Sequence, residues 1–382
     1  MKEIGLYIHI PFCKQKCFYC DFCSHANKLE LQEQYINSVI KEIKNIKQKE
    51  LYRIKTIYIG GGTPSILNPT LIQKLLEEIQ NSFTVSKNSE ITIEINPGTI
   101  DEKKINLYKE AGVNRVSIGL QSASDKLLKE IGRIHNYKQF EDAYKMVTDA
   151  EITNINVDLM IGLPNQNIHD VEDTLKKIVS KAPKHISVYS LIVEPDTVME
   201  KLISSGKAIL PDEDTERAMY WKVKEVLENS GYYQYEISNF SKKGFESRHN
   251  LDCWNQCEYI GIGVAAHSYI NGVRYSNLSS IEDYIDNINK DKFENNVCVH
   301  EVQDKIDMMK EYMIIGLRKI EGVSVNKFID KFEINPLELF EKEIKKNVKN
   351  NFLETIKKDG DCFIKLTSKG IDFANIVWEE FV

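Results

Sequence analysis

The chain has 382 residues, of which 42% are hydrophobic and 28% are charged, a composition typical of a globular protein. Its formal net charge of -7 disfavours a nucleic-acid partner, because phosphate binding requires a clustered basic surface and the Lys and Glu residues are interspersed here. No apolar run approaches the length of a transmembrane segment, and the first residues lack the features of a signal peptide, so we expect a cytoplasmic protein.

The first half of the chain alternates short β-branched runs with amphipathic helical stretches. The six predicted strands are Leu6–Ile10, Thr56–Ile59, Ile91–Ile95, Arg115–Ile118, Ile155–Met160 and His185–Ser190. The predicted helices lie around Leu29–Lys47, Thr70–Ser82, Glu102–Ala111, Tyr137–Ala150 and Val171–Lys181. This spacing is typical of repeated right-handed βα units. Six such units favour an incomplete (β/α)6 barrel, in which a functional site forms at the carboxyl ends of the strands.

The second half of the chain predicts further, smaller units, since a single core rarely grows beyond about 250 to 300 residues. A helix is expected from Pro211 to about Asn229, followed by a strand at Tyr232–Ile237 and an aromatic-rich irregular region. From about Asp304 the pattern is mostly helical and resembles a winged-helix domain, for which the acidic charge disfavours DNA binding. We therefore predict a barrel core at 1–200, a barrel extension at 201–300 and a winged-helix-like domain at 301–382.

Four of the eight cysteines fall within one short segment, which indicates metal or redox chemistry in a reducing compartment. Cys13, Cys17 and Cys20 have the spacing C-x3-C-x2-C on a loop directly after the first strand. Three thiolates can hold a [4Fe–4S] cluster and leave one iron open for a ligand. The alternative is a structural zinc site with Cys23 as fourth ligand, although such sites usually pair two C-x2-C hooks from separate places.

C-x3-C-x2-C with an aromatic residue before its last cysteine is the signature of the radical S-adenosylmethionine (SAM) superfamily, and this segment resembles it without a gap. The resemblance implies a [4Fe–4S] cluster whose open iron binds the amino and carboxylate groups of SAM. It also implies a low-potential electron donor, because the cluster splits the sulfonium of SAM by supplying an electron. Tyr7 and Tyr19 would shield the adenine and the cluster from water.

Two further segments resemble the SAM-binding loops of this superfamily. Gly61, Gly62 and Thr63 follow the second strand, where the missing side chains allow close approach of a ligand, and the resemblance assigns them to the SAM amino group. A glycine run in isolation is more often a turn. Glu94 lies near the end of the third strand and is expected to contact the cofactor, although a carboxylate on a strand more often faces solvent.

The fourth and fifth strands supply the remaining predicted cofactor residues. Arg133 has a guanidinium fork that matches a carboxylate, so it is the predicted partner of the methionyl carboxylate, with Gln121 beside it. The alternative is a surface arginine. Asp158 interrupts an apolar strand, and a buried carboxylate needs hydrogen-bond donors, which the ribose hydroxyls of SAM would supply.

Nearly the whole chain resembles the oxygen-independent coproporphyrinogen III oxidase family, which includes the HemW-type heme chaperones. The matching segments are YIHIPFC, GGGTPS, IEINPG, RVSIGLQS, GRIH, VDLMIGLP and the winged-helix pattern of the tail. Coproporphyrinogen dehydrogenases of this family carry an extra segment before the first strand and a cysteine two positions after the third cluster cysteine. Here the strand begins within a few residues of Met1 and that position is Phe22, so both differences favour the HemW branch.

HemW-type proteins also carry an H-N-x-x-Y-W motif associated with heme, and residues 249–254 read H-N-L-D-C-W. The resemblance implies that His249 and Trp254 contact heme, while Cys253 stands where tyrosine is expected. A lone loop histidine is otherwise more often structural. The expected cofactors are therefore the cluster, SAM and heme as cargo.

Three functions remain open from the sequence. The first is a heme chaperone that retains the radical SAM cofactors and delivers heme to apo-hemoproteins. The second is a porphyrinogen-decarboxylating enzyme, which we judge the less favoured. The third is a radical SAM enzyme with another substrate. No protein side chain is assigned as a catalytic residue, and the sequence leaves open whether the chain forms a homodimer.

Overall fold

The computed structural model describes residues 1–382 and begins with six parallel strands that alternate with helices. The strands are β1 (Lys2–Ile10), β2 (Tyr52–Gly61), β3 (Thr84–Ile95), β4 (Arg115–Gln121), β5 (Asn154–Ile161) and β6 (His185–Ser190). The helices are α1 (Gln32–Asn45), α2 (Pro69–Ser82), α3 (Glu102–Glu110), α4 (Asp125–Glu130), α5 (Tyr137–Asp149), α6 (Ile168–Ser180), α7 (Val198–Ser204) and α8 (Glu213–Asn229). Each strand pairs with the next in chain order, as expected for repeated βα units.

The sheet continues beyond both ends of this parallel core to a total of 12 strands. The added strands are β7 (Tyr233–Glu236), β8 (Asn239–Ser241), β9 (Tyr259–Ile262), β10 (His267–Ile270), β11 (Val273–Asn277) and β12 (Val297–Val302), with helices α9 (Arg248–Trp254) and α10 (Ile281–Asn289) between them. The two edge strands of the sheet, β12 and β7, do not pair with each other, so the barrel stays open. The predicted incomplete barrel is thereby confirmed.

The C-terminal region is mostly helical and carries a small antiparallel sheet in the order β13-β15-β14. Its helices are α11 (Lys305–Gly316), α12 (Val325–Phe332), α13 (Pro336–Leu339), α14 (Glu341–Lys349), α15 (Ser368–Asp372) and α16 (Ala374–Glu379). Its strands are β13 (Val323–Ser324), β14 (Leu353–Lys358) and β15 (Asp361–Leu366). The β14–β15 hairpin corresponds to the wing of the predicted winged-helix-like domain.

Alternate residues of the core strands face opposite sides of the sheet. The outward side chains, such as Ile8, Ile59 and Val116, are fully buried beneath the helices. The inward side chains are largely polar, and Ser117 of β4 donates a hydrogen bond to Asp158 of β5 across the interior. The barrel interior is therefore packed with hydrogen-bonded polar side chains.

None of the helices combines the length and the apolar composition that a membrane crossing needs.

Candidate functional site

A cavity of about 330 Å³ lies at the carboxyl ends of the core strands. Most of the residues predicted from the sequence line it: Cys13, Cys17, Tyr19, Cys20, Gly61, Gly62, Thr63, Glu94, Gln121, Arg133 and Asp158. These residues come from the ends of five strands and the loops that follow them, because parallel strands end at a common edge. We refer to this cavity as the cofactor pocket.

The cysteine loop holds its three motif thiols toward the cofactor pocket and turns the fourth away. The Thr63 hydroxyl lies 3.5 Å from Cys13 Sγ, and Arg133 Nη1 lies 3.4 Å from Cys17 Sγ. Burial raises the pKa of Cys20 to about 11. The Cys23 thiol instead donates to the Ser279 carbonyl oxygen at 3.4 Å.

The arrangement of the thiols is compatible with a cluster. No three His, Cys, Asp or Glu side chains in the structure converge closely enough to hold one metal ion. Three thiols that share a cavity without converging on one point suit a cluster, in which each thiolate binds a different iron. A closed four-thiol zinc site would also need Cys23, whose side chain is engaged elsewhere.

The glycine-rich loop after β2 packs directly on the cysteine loop. The Gly62 and Thr63 amides donate to the carbonyl oxygens of Ile10 and Phe12 at 2.8 and 2.7 Å. A Cβ on Gly62 would lie 2.7 Å from the Phe12 carbonyl oxygen, closer than real Cβ atoms approach. Gly61 has φ of +110°, a conformation that side chains disfavour. Glycine is therefore required here by the close approach of two loops.

Glu94 is held inside the cofactor pocket by two donors. Its carboxylate accepts hydrogen bonds from the Tyr58 hydroxyl at 2.8 Å and from the Gly61 amide at 3.1 Å. Burial raises the pKa of Glu94 to about 7, and the Tyr58 hydrogen bond opposes that increase. Glu94 is thus poised to change protonation near neutral pH, a property common among groups at functional sites.

Arg133 links the loop that follows β3 to the end of β4. Its Nη2 donates to Asn96 Oδ1 at 2.7 Å and to the Gly119 carbonyl oxygen at 2.5 Å, while its Nε is buried and has no partner. An unpaired buried donor carries a desolvation cost that a ligand oxygen would remove. Gln121, also in the pocket, has a positive φ of 71°, a strained conformation of the kind that clusters at functional sites.

Asp158 is only partly exposed, and its carboxylate accepts two hydrogen bonds. Ser117 Oγ donates to one oxygen and Asn156 Nδ2 to the other, both at 2.8 Å. Burial raises its pKa, and these two bonds act in the opposite direction. Asp158 therefore satisfies the requirement that a buried carboxylate be hydrogen-bonded while still facing the cofactor pocket.

A chain of hydrogen bonds continues from this carboxylate toward the amino ends of the strands. His185 Nδ1 lies 2.6 Å from Asn156 Oδ1, and His185 Nε2 lies 2.7 Å from the Tyr235 hydroxyl. The Tyr235 hydroxyl oxygen also accepts the Ser247 amide at 3.2 Å, and Ser247 is the N-cap of α9. The polar barrel interior thus joins the cofactor pocket to the helix that carries the H-N-L-D-C-W segment.

That helix, α9, lies across the opposite end of the barrel. The Glu90 carboxylate accepts the backbone amides of Arg248 and His249, each at 3.2 Å. His249 is only 8% exposed, and its Nδ1 lies 2.9 Å from Thr56 Oγ1. Burial chiefly lowers the pKa of His249 to about 4, so its imidazole is neutral at pH 7. We call this end the barrel floor.

Trp254 and Tyr7 lie outside the cofactor pocket. The Arg318 guanidinium stacks between Trp254 and Trp378, 4.5 and 5.5 Å from the ring centroids, and so ties α9 to the C-terminal region. The Tyr7 hydroxyl lies 2.9 Å from His9 Nδ1 behind the pocket wall, and only Tyr19 of the two expected shielding tyrosines lines the pocket. Neither residue lines the cofactor pocket, although the Tyr7 ring lies 6.3 Å from that of Tyr58, which does.

Comparisons with known proteins agree with this geometry. The family model described as the radical SAM superfamily matches residues 7–178, and the HemN C-terminal domain model matches residues 303–373. The heme chaperone HemW of Lactococcus lactis is 36% identical and covers 100% of this chain and 98% of its own length. The heme chaperone HemW of Bacillus subtilis is 37% identical and covers 98% of each chain. The chain belongs to the HemW family.

The fold of this HemW family member is shared with a solved structure. Coproporphyrinogen III oxidase HemN from Escherichia coli matches 100% of this chain and 90% of its own with a TM-score of 0.84. The sequence identity is 20%, so the likeness concerns the fold alone. It extends over both the barrel and the C-terminal region.

Membership of the radical SAM superfamily implies a [4Fe–4S] cluster and SAM. The residues present in this HemW family member fit both groups. Three thiols face one cavity, and the unpaired Nε of Arg133 is a buried donor close to Cys17. The glycine-rich loop leaves backbone rather than side chains against the cysteine loop.

Several pocket residues of this HemW family member were missed from the sequence: Tyr58, Asn96, Ser117, Met160 and Tyr189. Strand periodicity contained the signal, because Asn96 lies two residues after Glu94 and Met160 lies two residues after Asp158. Residues two apart share a face of the sheet. An inward-facing polar residue near a predicted site residue is therefore itself a candidate.

Proposed function

We propose that this chain is a heme chaperone that holds a [4Fe–4S] cluster and SAM at the carboxyl ends of its strands, binds heme and hands it to an apo-hemoprotein. The supporting observation is the full-length similarity to proteins described as heme chaperone HemW. The proposal assigns the cofactors to residues 1–200, the motif helix α9 to residues 201–300 and the appended winged-helix-like domain to residues 301–382.

Cys13, Cys17 and Cys20 would each bind one iron of the cluster, which leaves the fourth iron for SAM. When bound, the cluster supplies single electrons to SAM, which it receives from a low-potential electron donor. Arg133 Nη1 already points at Cys17 Sγ, and its positive charge would offset the negative charge of a cluster thiolate. Tyr19 closes the same wall of the pocket against water.

The remaining pocket residues would hold SAM. Arg133 would receive the methionyl carboxylate, with Gln121 beside it, and Asp158 would accept the ribose hydroxyls. The Gly61–Thr63 loop and Glu94 would face the amino group. The pKa of Glu94 is raised to about 7, so its carboxylate becomes a stronger acceptor as the pH rises through that value. Tyr7 would support this wall through His9 rather than by direct contact.

The heme contacts stay a prediction from the sequence motif. His249 Nδ1 is engaged by Thr56, so a bond to heme iron would have to use Nε2. Burial raises the pKa of Cys253 to about 12, so in the absence of a metal the residue that replaces the motif tyrosine is a neutral thiol. Trp254 is covered by Arg318, which favours an anchoring role for that residue.

Titration of the reconstituted protein with hemin tests the proposal. We expect a Soret band that saturates near one equivalent and that is weakened or shifted in His249→Ala. The matched control is His169→Ala, because His169 is an exposed histidine on α6. A protein that produces no bound-heme spectrum would contradict the chaperone function.

An anaerobic assay with coproporphyrinogen III, SAM and a reductant separates the chaperone from the decarboxylating enzyme. We expect no protoporphyrinogen IX, because Phe22 stands where the decarboxylating relatives carry a cysteine. Phe22 lines the cofactor pocket, so the difference is located where it would affect chemistry. Catalytic turnover would instead assign the chain to the enzyme branch.

A further inference from the structure

A cleft with a volume of about 510 Å³ lies at the barrel floor, outside the cofactor pocket. One wall consists of Tyr233 on β7 and Leu251 on α9. The other wall is the β14–β15 hairpin, where Ile356 and Phe363 are paired across the two strands. The cleft therefore lies between two separate elements, the barrel floor and the wing of the C-terminal region.

The apolar side chains of this cleft face open space. Ile356 and Tyr233 are large hydrophobic residues, yet they are 38% and 37% exposed to solvent. Exposed apolar surfaces that face each other across a gap mark binding sites in soluble proteins. The volume is also in the range of about 300 to 1,000 Å³ found for small-molecule sites.

Three lysines line the cleft together with two glutamates, Glu246 and Glu321, so lysines are in excess by one. Lys358 and Lys365 lie on the same hairpin face as Ile356 and Phe363, and Lys319 lies deeper in the cleft. Lys358 pairs with Glu321 at 3.0 Å and Lys365 with Glu354 at 3.6 Å. Exposed ion pairs of this kind are weak, so a ligand carboxylate can replace the glutamate partner.

Lys319 differs from these two because it is largely buried. Its Nζ donates to Asn255 Oδ1 at 2.5 Å, and no carboxylate lies within ion-pair distance of it. Burial lowers the pKa of Lys319 to about 8. A bound anion beside this amino group would stabilise its charged form. The cleft thus combines two apolar walls with amino groups that favour carboxylates.

We propose that this cleft holds the heme cargo, with the porphyrin ring between the hairpin wall and the floor wall and the propionates on the lysines. The inference rests on the proposed function and specifies where heme binds. The chemistry is complementary, because heme is a flat apolar ring that carries two carboxylates.

The H-N-L-D-C-W helix, α9, would contribute to this cleft as part of its wall. Leu251 of α9 forms part of the floor wall, and Tyr235, which lines the cleft, bonds the N-cap residue of α9. His249 on the same helix is fixed inside the barrel by Thr56. His249 is therefore a positioning residue for this wall, and its loss would weaken heme binding through movement of α9.

Ile356→Glu tests the cleft by adding a negative charge to its exposed hairpin wall. The matched control is Val348→Glu, because Val348 is 44% exposed on α14 and does not line the cleft. In hemin titrations we expect Ile356→Glu to raise the dissociation constant at least about tenfold, since the new carboxylate would be buried against the ring and repel the propionates. Val348→Glu should bind heme as the wild type does.

Lys358→Glu provides a second variant on an exposed side chain, and it should weaken heme binding in the same direction. Wild-type heme affinity in both cleft variants would overturn the cleft assignment and leave the chaperone function intact. Absence of heme binding in the wild type would instead contradict the proposed function itself. The two failures are thereby distinguished.

Discussion

The two ends of the barrel differ in how their functional motifs are used. At the cofactor pocket the motif side chains face a cavity, and Arg133 retains an unpaired donor. At the barrel floor the motif side chains are packed, since His249 bonds Thr56 and Trp254 stacks on Arg318. The motif side chains at the first end are therefore accessible to a ligand, whereas those at the second end hold the helix in place.

Removal of a cluster ligand should have the largest effect. We expect Cys13→Ala, Cys17→Ala or Cys20→Ala to abolish the binding of about four irons and four sulfides after anaerobic reconstitution, because each thiolate holds one iron. Cys23→Ala is the control, since its thiol bonds the Ser279 carbonyl outside the pocket. Stoichiometric zinc without labile sulfide in protein prepared without oxygen would contradict the cluster.

Loss of the Arg133 side chain should weaken SAM binding about tenfold to a hundredfold, which corresponds to about 1.5 to 3 kcal/mol for a hydrogen-bonded charged group. Isothermal titration of Arg133→Ala with SAM measures this effect. Lys126→Ala is the control, because its side chain is 75% exposed on the neighbouring helix α4. If Arg133→Ala bound SAM with wild-type affinity, Arg133 would not be the residue that binds the methionyl carboxylate.

His249 predicts a pH dependence of stability at the barrel floor. Its pKa is about 4 in the folded chain, lowered chiefly by burial, and about 6.5 in an unfolded chain. Between these pH values the imidazole is protonated only in the unfolded state. The stabilisation that the buried neutral imidazole gives to the folded state is therefore complete above about pH 6.5 and is lost as the pH falls toward 4. Between pH 7 and 4.5, wild type should lose about 2 kcal/mol more unfolding free energy than His249→Gln.

Urea unfolding of both proteins at the two pH values measures that difference. Equal losses would mean that the imidazole is accessible to protons in the folded chain, as an iron ligand open to solvent would be. The packed barrel floor would then be the wrong description of this motif.

The smallest effect is expected at Trp254. Trp254→Phe weakens the stacking on Arg318, which should cost about 0.5 to 1 kcal/mol of unfolding free energy, the range of an accessible cation–π interaction. The Soret band of bound heme should not change. Loss of heme binding at normal stability would give Trp254 the direct heme contact that the motif predicts and the packing disfavours.

The sequence predicted the cofactor end better than the floor for a physical reason. The carboxyl ends of parallel strands meet at one edge, so motifs that follow successive strands must converge. Glu94 and Asp158 could be placed in this way from local patterns. The position of α9 depends on Glu90 and Thr56, which lie far away in the sequence, and no local pattern predicts those contacts.

The cleft was beyond sequence prediction for the same reason. Tyr233 and Ile356 face each other only because the C-terminal region docks on the barrel, where the Ile237 amide donates to the Arg318 carbonyl oxygen and the Ile320 amide to that of Tyr235. The sequence of each strand, taken separately, predicts only an ordinary strand with one exposed apolar residue. A binding surface assembled from distant segments becomes visible only in the fold.

Competition between SAM and heme most directly tests the separation of the two ends. Hemin is titrated into the reconstituted protein with and without saturating SAM, and the dissociation constant is read from the Soret band. We expect a change of no more than about twofold, below the coupling typical of linked sites, because the cleft and the cofactor pocket lie at opposite ends of the barrel. A dissociation constant for heme that rises in proportion to the SAM concentration would place both ligands in the cofactor pocket and contradict this arrangement.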